Sequence, residues 1–153
     1  MDMFLMTASL ALAGIIAGIY VSGVIHDFRI DDLTAGQYMA MHQMRDRTFT
    51  RVMPVVRLTT LVLIAAPAMF AVDAGLPRIL TIVAAALVVI DIGFTVSRQV
   101  PLNKQVQSWT PVTIPDDWAQ TRDSWAANHN LRLVLGLAEY ACLFAAVILT
   151  LSR

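Results

Sequence analysis

Trp118, Arg122, Trp125, His129, Arg132, Gly136 and Glu139 follow one another at alternating intervals of four and three residues. On an α-helix that spacing puts all seven on one face. The face begins among polar residues and ends inside an apolar run, Leu133 to Leu151. It carries rings that can hold a flat apolar body, an imidazole that can move a proton, and guanidinium and carboxylate groups that can orient or stabilise charge. Lipid rejects such a face, so it must look into protein or into a polar cavity.

A face of this kind needs a membrane protein to carry it, and composition agrees. Of 153 residues, 58% are hydrophobic and 14% charged, a balance that fits a small integral membrane protein rather than a soluble domain. Eleven cationic and eleven acidic side chains cancel, which excludes the basic excess of a nucleic-acid binder. The lone Cys142 excludes an intrachain disulfide and reads as a small core residue.

Four segments approach the roughly 20 apolar residues a span requires: 3–25, 52–72, 79–96 and 133–151. The expected fold is therefore an all-α, four-helix transmembrane bundle forming a single domain over 1–153, with amphipathic helices in the two long connections on one side. The first segment lacks a basic start and is long for a signal sequence, so it reads as a retained span. Its Gly14, Gly18 and Ser22 form a smooth face for close helix contact and permit a homo-oligomer. Pro67 is expected to kink the second span, and Pro54 to break or bend the helix leading into it.

Thr34-Ala-Gly-Gln37 has the pattern of a capping box and predicts a helix start. Tyr38, His42, Arg45 and Phe49 then share a face. Pro101-Leu102-Asn103 predicts a turn after the third span, and Thr113 with Pro115-Asp-Asp117 predicts the start of the striped helix. The long connections hold Arg29, Arg45, Arg47, Arg51, Arg98, Lys104, Arg122 and Arg132, against Arg78 and Arg153 on the other side. The positive-inside rule then expects an inner or cell membrane location, long connections in the cytoplasm and both termini outside.

Depth sharpens the picture. Asp91 lies seven residues before Arg98 and Glu139 seven after Arg132, so both sit about 10 Å below the same interface. Arg57, Thr59, Thr60, Tyr20 and Ser22 fall near that level. An isolated charge there costs on the order of 2.5–3.5 kcal/mol, so these groups must be paired or hydrated. One reading is an Arg57 bridge to Asp91 or Glu139 that only fixes packing. The other is a half-buried cavity open towards the long connections, floored by Asp91, Glu139 and Arg57, walled by the aromatic stripe, with His42 and His129 near its mouth.

Val100-Pro-Leu-Asn103, then Trp118, Trp125, Asn128 and Arg132 leading into an apolar last helix, resembles the anthrone oxygenase-like family of small four-helix membrane proteins. The likeness is clear over about residues 98–150. The N-terminal half agrees in layout more than in residues. Members often carry Asn just before the Val-Pro-Leu-Asn stretch, where this chain has Gln99, and Asp91, Glu139 and the His26/His42 pair are not family features. The resemblance implies an oxygenase that converts an anthrone to an anthraquinone in polyketide biosynthesis.

Such an oxidation can run without metal or flavin, which would leave the protein to supply an apolar slot, a base and donors for an enolate oxygen. For a lipophilic substrate in contact with membrane lipid, Trp118, Trp125, Tyr38 and Phe49 are candidates for the slot, with Arg122 and Arg57 alongside. His129 or His42 is the candidate base, and Arg132, Asn103 and Asn128 are the oxyanion donors. Asp91 or Glu139 would orient the base. Each has a structural alternative: tryptophans as interface anchors, Arg132 snorkelling, Asn103 closing its turn, His26 capping the first helix. Three other functions remain open. A metal-dependent oxygenase would use His26, His42 and His129 with Asp27, Asp46 or Glu139, although no HxxH, HxxxH or ExxH spacing occurs. A cyclase or isomerase of lipophilic natural products would use the same pocket. A non-catalytic binding or assembly subunit would use none of it.

Overall fold

The computed structural model describes residues 2–70 and 75–152. Residues 71–72 of the second expected span, Asp73 and Ala74 of the short connection, and Arg153 lie outside the described residues. Helix α1 is Asp2–His26, followed by a 3-10 turn, Asp27–Asp32; α2 is Ala35–Phe70; α3 is Leu76–Phe94, a π-helical turn covers Thr95–Gln99, and α4 is Val100–Gln107; α5 is Trp118–Leu151. Four helical stretches are long and apolar enough to cross a membrane, and the described residues contain no strand. The all-α four-span bundle stands.

Length explains where a site can form. With 36 and 34 residues, α2 and α5 are each roughly 50 Å long, against a hydrocarbon layer of about 30 Å. Their surplus turns stand on the side of the two long connections, together with α4. Apolar side chains cover the outside of the bundle, among them Leu58, Val62, Val89, Ile90, Val134 and Phe144, as lipid contact requires. Inside, Ala13, Ile64, Ala84, Val88 and Leu143 pack as one cluster, and Ile30, Tyr38, Met39, Val106 and Trp109 as another at the long-connection end. The polar layers lie between these two.

Local chemistry explains two helix starts, the first of them expected. The Thr34 amide donates to Gln37 Oε1 at 2.9 Å and the Gln37 amide to Thr34 Oγ1 at 3.4 Å, which is the expected capping box. Gly75, with φ 133° and ψ −166°, occupies backbone that L side chains avoid, and Pro77 follows in the first turn of α3.

Neither Pro54 nor Pro67 interrupts its helix, and Pro101 is not in the expected turn. α2 passes through Pro54 and Pro67 as one helix, so the amphipathic segment and the second span are a single element. At Pro67 the reason is visible. Proline cannot bond the carbonyl four residues back, which is that of Leu63, and Ser9 Oγ of α1 lies 2.7 Å from that oxygen while also reaching Leu5 O at 2.8 Å. A serine from a neighbouring helix thus satisfies the freed acceptor. Pro101 is also helical rather than in a turn. The Val100 amide bonds Thr95 O, five residues back, and this wider turn lets the pyrrolidine ring clear the carbonyl it would otherwise strike.

The small-residue face of α1 is also redistributed. Gly14 meets Tyr140 of the same chain, whereas Gly18 faces open space and Ser22 is exposed. The closest helix approaches are elsewhere. A Cβ at Gly136 would lie 2.8 Å from Tyr20 Cδ2, and one at Gly23 would collide with the His129 ring.

Candidate functional site

All four spans contribute to one ionic layer. Arg57 of α2 reaches Glu139 Oε2 of α5 at 2.9 Å and Asp91 Oδ2 of α3 at 3.0 Å. Arg132 Nε of α5 donates to Asp91 Oδ1 at 3.0 Å. Tyr20 of α1 donates its hydroxyl to Asp91 Oδ2 at 2.8 Å and accepts from Arg132 at 2.7 Å. Asp91 and Glu139 are each 1% exposed and Arg57 4%. Two guanidiniums face two carboxylates, so the formal charges cancel where neither sign alone is tolerated. Of the residues expected at this depth, Asp91, Glu139, Arg57 and Tyr20 meet in the layer and the Arg57 bridge exists to both carboxylates, whereas Thr59 and Ser22 are exposed and Thr60 bonds Val56 O of its own helix.

Above this layer stands a column of rings. His129 stacks on Trp125, centroids 5.1 Å apart and planes within 9°. His42 meets Trp125 edge-on at 5.2 Å, and Tyr38 lies 5.4 Å from His42 and 5.8 Å from Trp118. Below, His129 meets Tyr20 edge-on at 5.9 Å, which joins the column to the ionic layer. Tyr20, Tyr38, His42, Trp125 and His129 are all buried. The expected half-buried cavity is therefore replaced: rings fill the space above the Asp91 level, and the histidines lie within the column, not at a mouth. The described surface does carry an open groove of about 610 Å³ at the long-connection end, between the start of α2 (Ala35, Met39) and Pro111, Ile114 and Trp118.

Polar side chains fix the column. Trp125 Nε1 donates to Asn103 Oδ1 at 2.8 Å, and Asn103 Nδ2 donates to Asp46 Oδ1 at 2.6 Å. Both ends of the Asn103 amide are thus engaged, and the residue sits in α4, not in a turn. Arg45 bonds Asp27 at 2.8 Å and covers the Trp125 ring at 4.6 Å. Arg122 lies over Trp118 at 5.2 Å and pairs with Asp123. Asn128 is half-buried. Phe49 is 41% exposed, off the inward face it was expected to share with Tyr38 and His42, while Asp46, four residues after His42, reaches Asn103. His26 is exposed at the end of α1, apart from the buried His42 and His129. Among the described residues no three His, Cys, Asp or Glu side chains group as metal ligands would.

Several buried polar atoms in this region have no partner among the described residues: both ring nitrogens of His42, Nδ1 of His129, the Tyr38 hydroxyl, the Thr95 hydroxyl and both ends of the Gln99 amide. Native interiors pair nearly all such groups, and exceptions gather where a protein has chemistry to do. His129 is the best defined. Its Nε2 lies 3.2 Å from Tyr20 O. A carbonyl only accepts, so Nε2 carries the hydrogen, and in the neutral ring Nδ1 then carries the free lone pair.

Gln99 and Arg45 were not among the residues singled out for a site, and Asp27 and Asp46, expected only as metal ligands, instead bond Arg45 and Asn103. The signal for Gln99 was present: Asp91, Thr95, Gln99 and Asn103 recur every four residues. A helix expected to stop at Pro101 hid that polar line.

A family model described as Anthrone oxygenase matches residues 41–142, about two thirds of the chain. The match takes in α2 from Met41, the ionic layer's Arg57, Asp91, Arg132 and Glu139, and the whole second long connection. No curated protein and no solved structure matches.

Proposed function

The chain belongs to the anthrone oxygenase family, and from that premise we propose a membrane-embedded oxygenase acting on a flat, apolar aromatic ketone of the anthrone or polyketide type. The observation that carries this reading is His129: an imidazole with its tautomer set by the Tyr20 carbonyl and a buried, unpartnered Nδ1. That is the form a general base needs.

The proposed reaction is base-initiated and draws on no resident cofactor. His129 Nδ1 takes a proton from the ring methylene opposite the substrate carbonyl, and the charge delocalises onto the carbonyl oxygen. The carbanion gives its electrons to O₂ and bonds to it as a peroxide anion, which recovers the proton from His129. Loss of the second C–H proton breaks the O–O bond and releases water. The methylene carbon loses four electrons and O₂ gains four, one oxygen entering the new carbonyl and one entering water. No outside reductant is required. His42 is the second candidate base. The ionic layer holds Tyr20, whose backbone carbonyl sets the His129 tautomer. The groove beside Trp118 is the proposed approach for a lipophilic substrate. The excess of arginine on the long connections supports a cytoplasmic location for that end.

One observation favours a second, non-catalytic reading: every charge of the ionic layer is already paired within the chain. Turnover separates the two. Purified protein with anthrone under ¹⁸O₂ is expected to put one labelled atom in the new carbonyl at a rate above the spontaneous reaction, and His129→Asn to slow it about 100-fold or more. Turnover without O₂ would point to a cyclase or isomerase. Stoichiometric metal in untagged protein would overturn the cofactor-free scheme, and a rate equal to the uncatalysed one would overturn the oxygenase.

A further inference from the structure

We infer that Gln99 is the specificity-determining residue of this site, reading a substrate edge on which a hydroxyl stands beside the carbonyl; the inference rests on the oxygenase reading above. Gln99 is 2% exposed, and neither its amide nitrogen nor its amide oxygen has a partner among the described residues. An unpaired buried amide costs stability at both ends. The chain bears that cost twice over in one place, because the Thr95 hydroxyl, on the same π-helical turn, is also buried and unpartnered. Helical turns of this kind concentrate at functional positions.

Register brings Gln99 to the base. Asn103 of α4 accepts the indole hydrogen of Trp125 of α5, and the two helices run in opposite directions. Four residues deeper on each lie Gln99 and His129, both about 6 Å below that hydrogen bond. The π-helical turn packs against α5. The amide and the imidazole therefore share one level of the bundle.

The chemistry of the amide names its ligand. Gln99 Nε2 offers two donors and Oε1 an acceptor. A carbonyl oxygen, which becomes an oxyanion once the C–H proton leaves, takes the donor end. A hydroxyl on the neighbouring ring position takes the acceptor end. A plain ketone uses half of the amide and leaves the other half unpaired, which is how a polar site rejects an analogue lacking a group. An apolar hydrocarbon uses neither.

The test measures binding without oxygen, so that it does not depend on turnover. Tryptophan quenching of the detergent-solubilised full chain is titrated with an anthraquinone carrying a hydroxyl beside its carbonyl, and with the unsubstituted parent. Wild type is expected to bind the hydroxylated probe at least ~10-fold more tightly. Gln99→Met is expected to bring the two probes within about twofold of each other, chiefly by weakening the hydroxylated one. A second readout excludes a merely structural role. Removing an unpaired buried amide relieves a cost, so Gln99→Met and Gln99→Leu are expected to melt at or above the wild-type temperature. Unchanged discrimination in Gln99→Met, absence of binding to wild type, or loss of folding in both variants would overturn the assignment. Discrimination that depends on Gln99 in a protein that turns nothing over would uphold the assignment as a binding site and sink the oxygenase instead.

Discussion

Replacing Arg57 by methionine isolates the energetics of the ionic layer. Arg57 supplies the one ion-pair contact that Glu139 makes among the described residues, whereas Asp91 keeps Arg132 and Tyr20 when Arg57 is removed. The damage therefore falls on Glu139, which is 1% exposed. Leaving one partner of a buried pair uncompensated costs about 3–5 kcal/mol, or roughly two to three and a half orders of magnitude in the folding constant. Restoring charge balance should recover it. In Arg57→Met with Glu139→Leu, one guanidinium and one carboxylate remain, Arg132 and Asp91, still hydrogen-bonded to each other and to Tyr20. Apolar replacement of a whole buried pair is often neutral or stabilising, so the double variant is expected within about 1 kcal/mol of wild type. Reversible unfolding in mixed micelles, followed by helical circular dichroism, measures all the states. A single variant as stable as wild type, or a double variant no more stable than the single, would refute the assignment of Arg57 and Glu139 as a mutually dependent pair.

Ser9→Ala removes the hydroxyl beside the carbonyl that Pro67 frees, and the same unfolding assay should register a loss of about 1–2 kcal/mol; combining it with Pro67→Ala, which lets the helix bond Leu63 O itself, should shrink that loss. Gly136→Ala forces a methyl against Tyr20 and should cost about 1–3 kcal/mol, while Gly18→Ala, facing open space, should be silent. Gly23→Ala displaces His129 and should reduce turnover of an anthrone by more than its melting temperature would explain. Asn103→Ala leaves the Trp125 indole hydrogen without its acceptor, and a shift in tryptophan emission together with a loss of about 1–2 kcal/mol is expected.

Much of the layer structure is legible from sequence because hydrocarbon is an unforgiving solvent. Asp91, Glu139 and Arg57 could be placed at one depth by counting residues, since charges at that depth have few permitted partners. The inward face of α5 followed from its four–three spacing for the same reason. Side-chain packing between helices is a different matter. Nothing local to His129 announces that it will lie flat on Trp125, or that Gly23 clears room for its ring. Prolines are hard to read for a related reason: whether one ends its helix depends on what meets the carbonyl it frees, and at Pro67 that is Ser9, 58 positions away in the chain. Once Pro101 is taken as a stop, Gln99 and Asn103 fall on opposite sides of an imagined break.

The extra-wide turn at Thr95–Gln99 ties the two halves of its helix together rotationally. If the same five residues wound as ordinary α-helix, everything beyond would swing by about 100° around the axis, because a turn closed five residues back takes roughly one residue more than an α turn. Asn103 would leave both Trp125 and Asp46, and the upper half of the molecule would fall out of phase with the charged half. This stretch thus holds one residue more than an α-helix of the same phase would need, although its sequence looks like ordinary helix, and that surplus residue acts as a gear setting between the ionic layer and the rings above it.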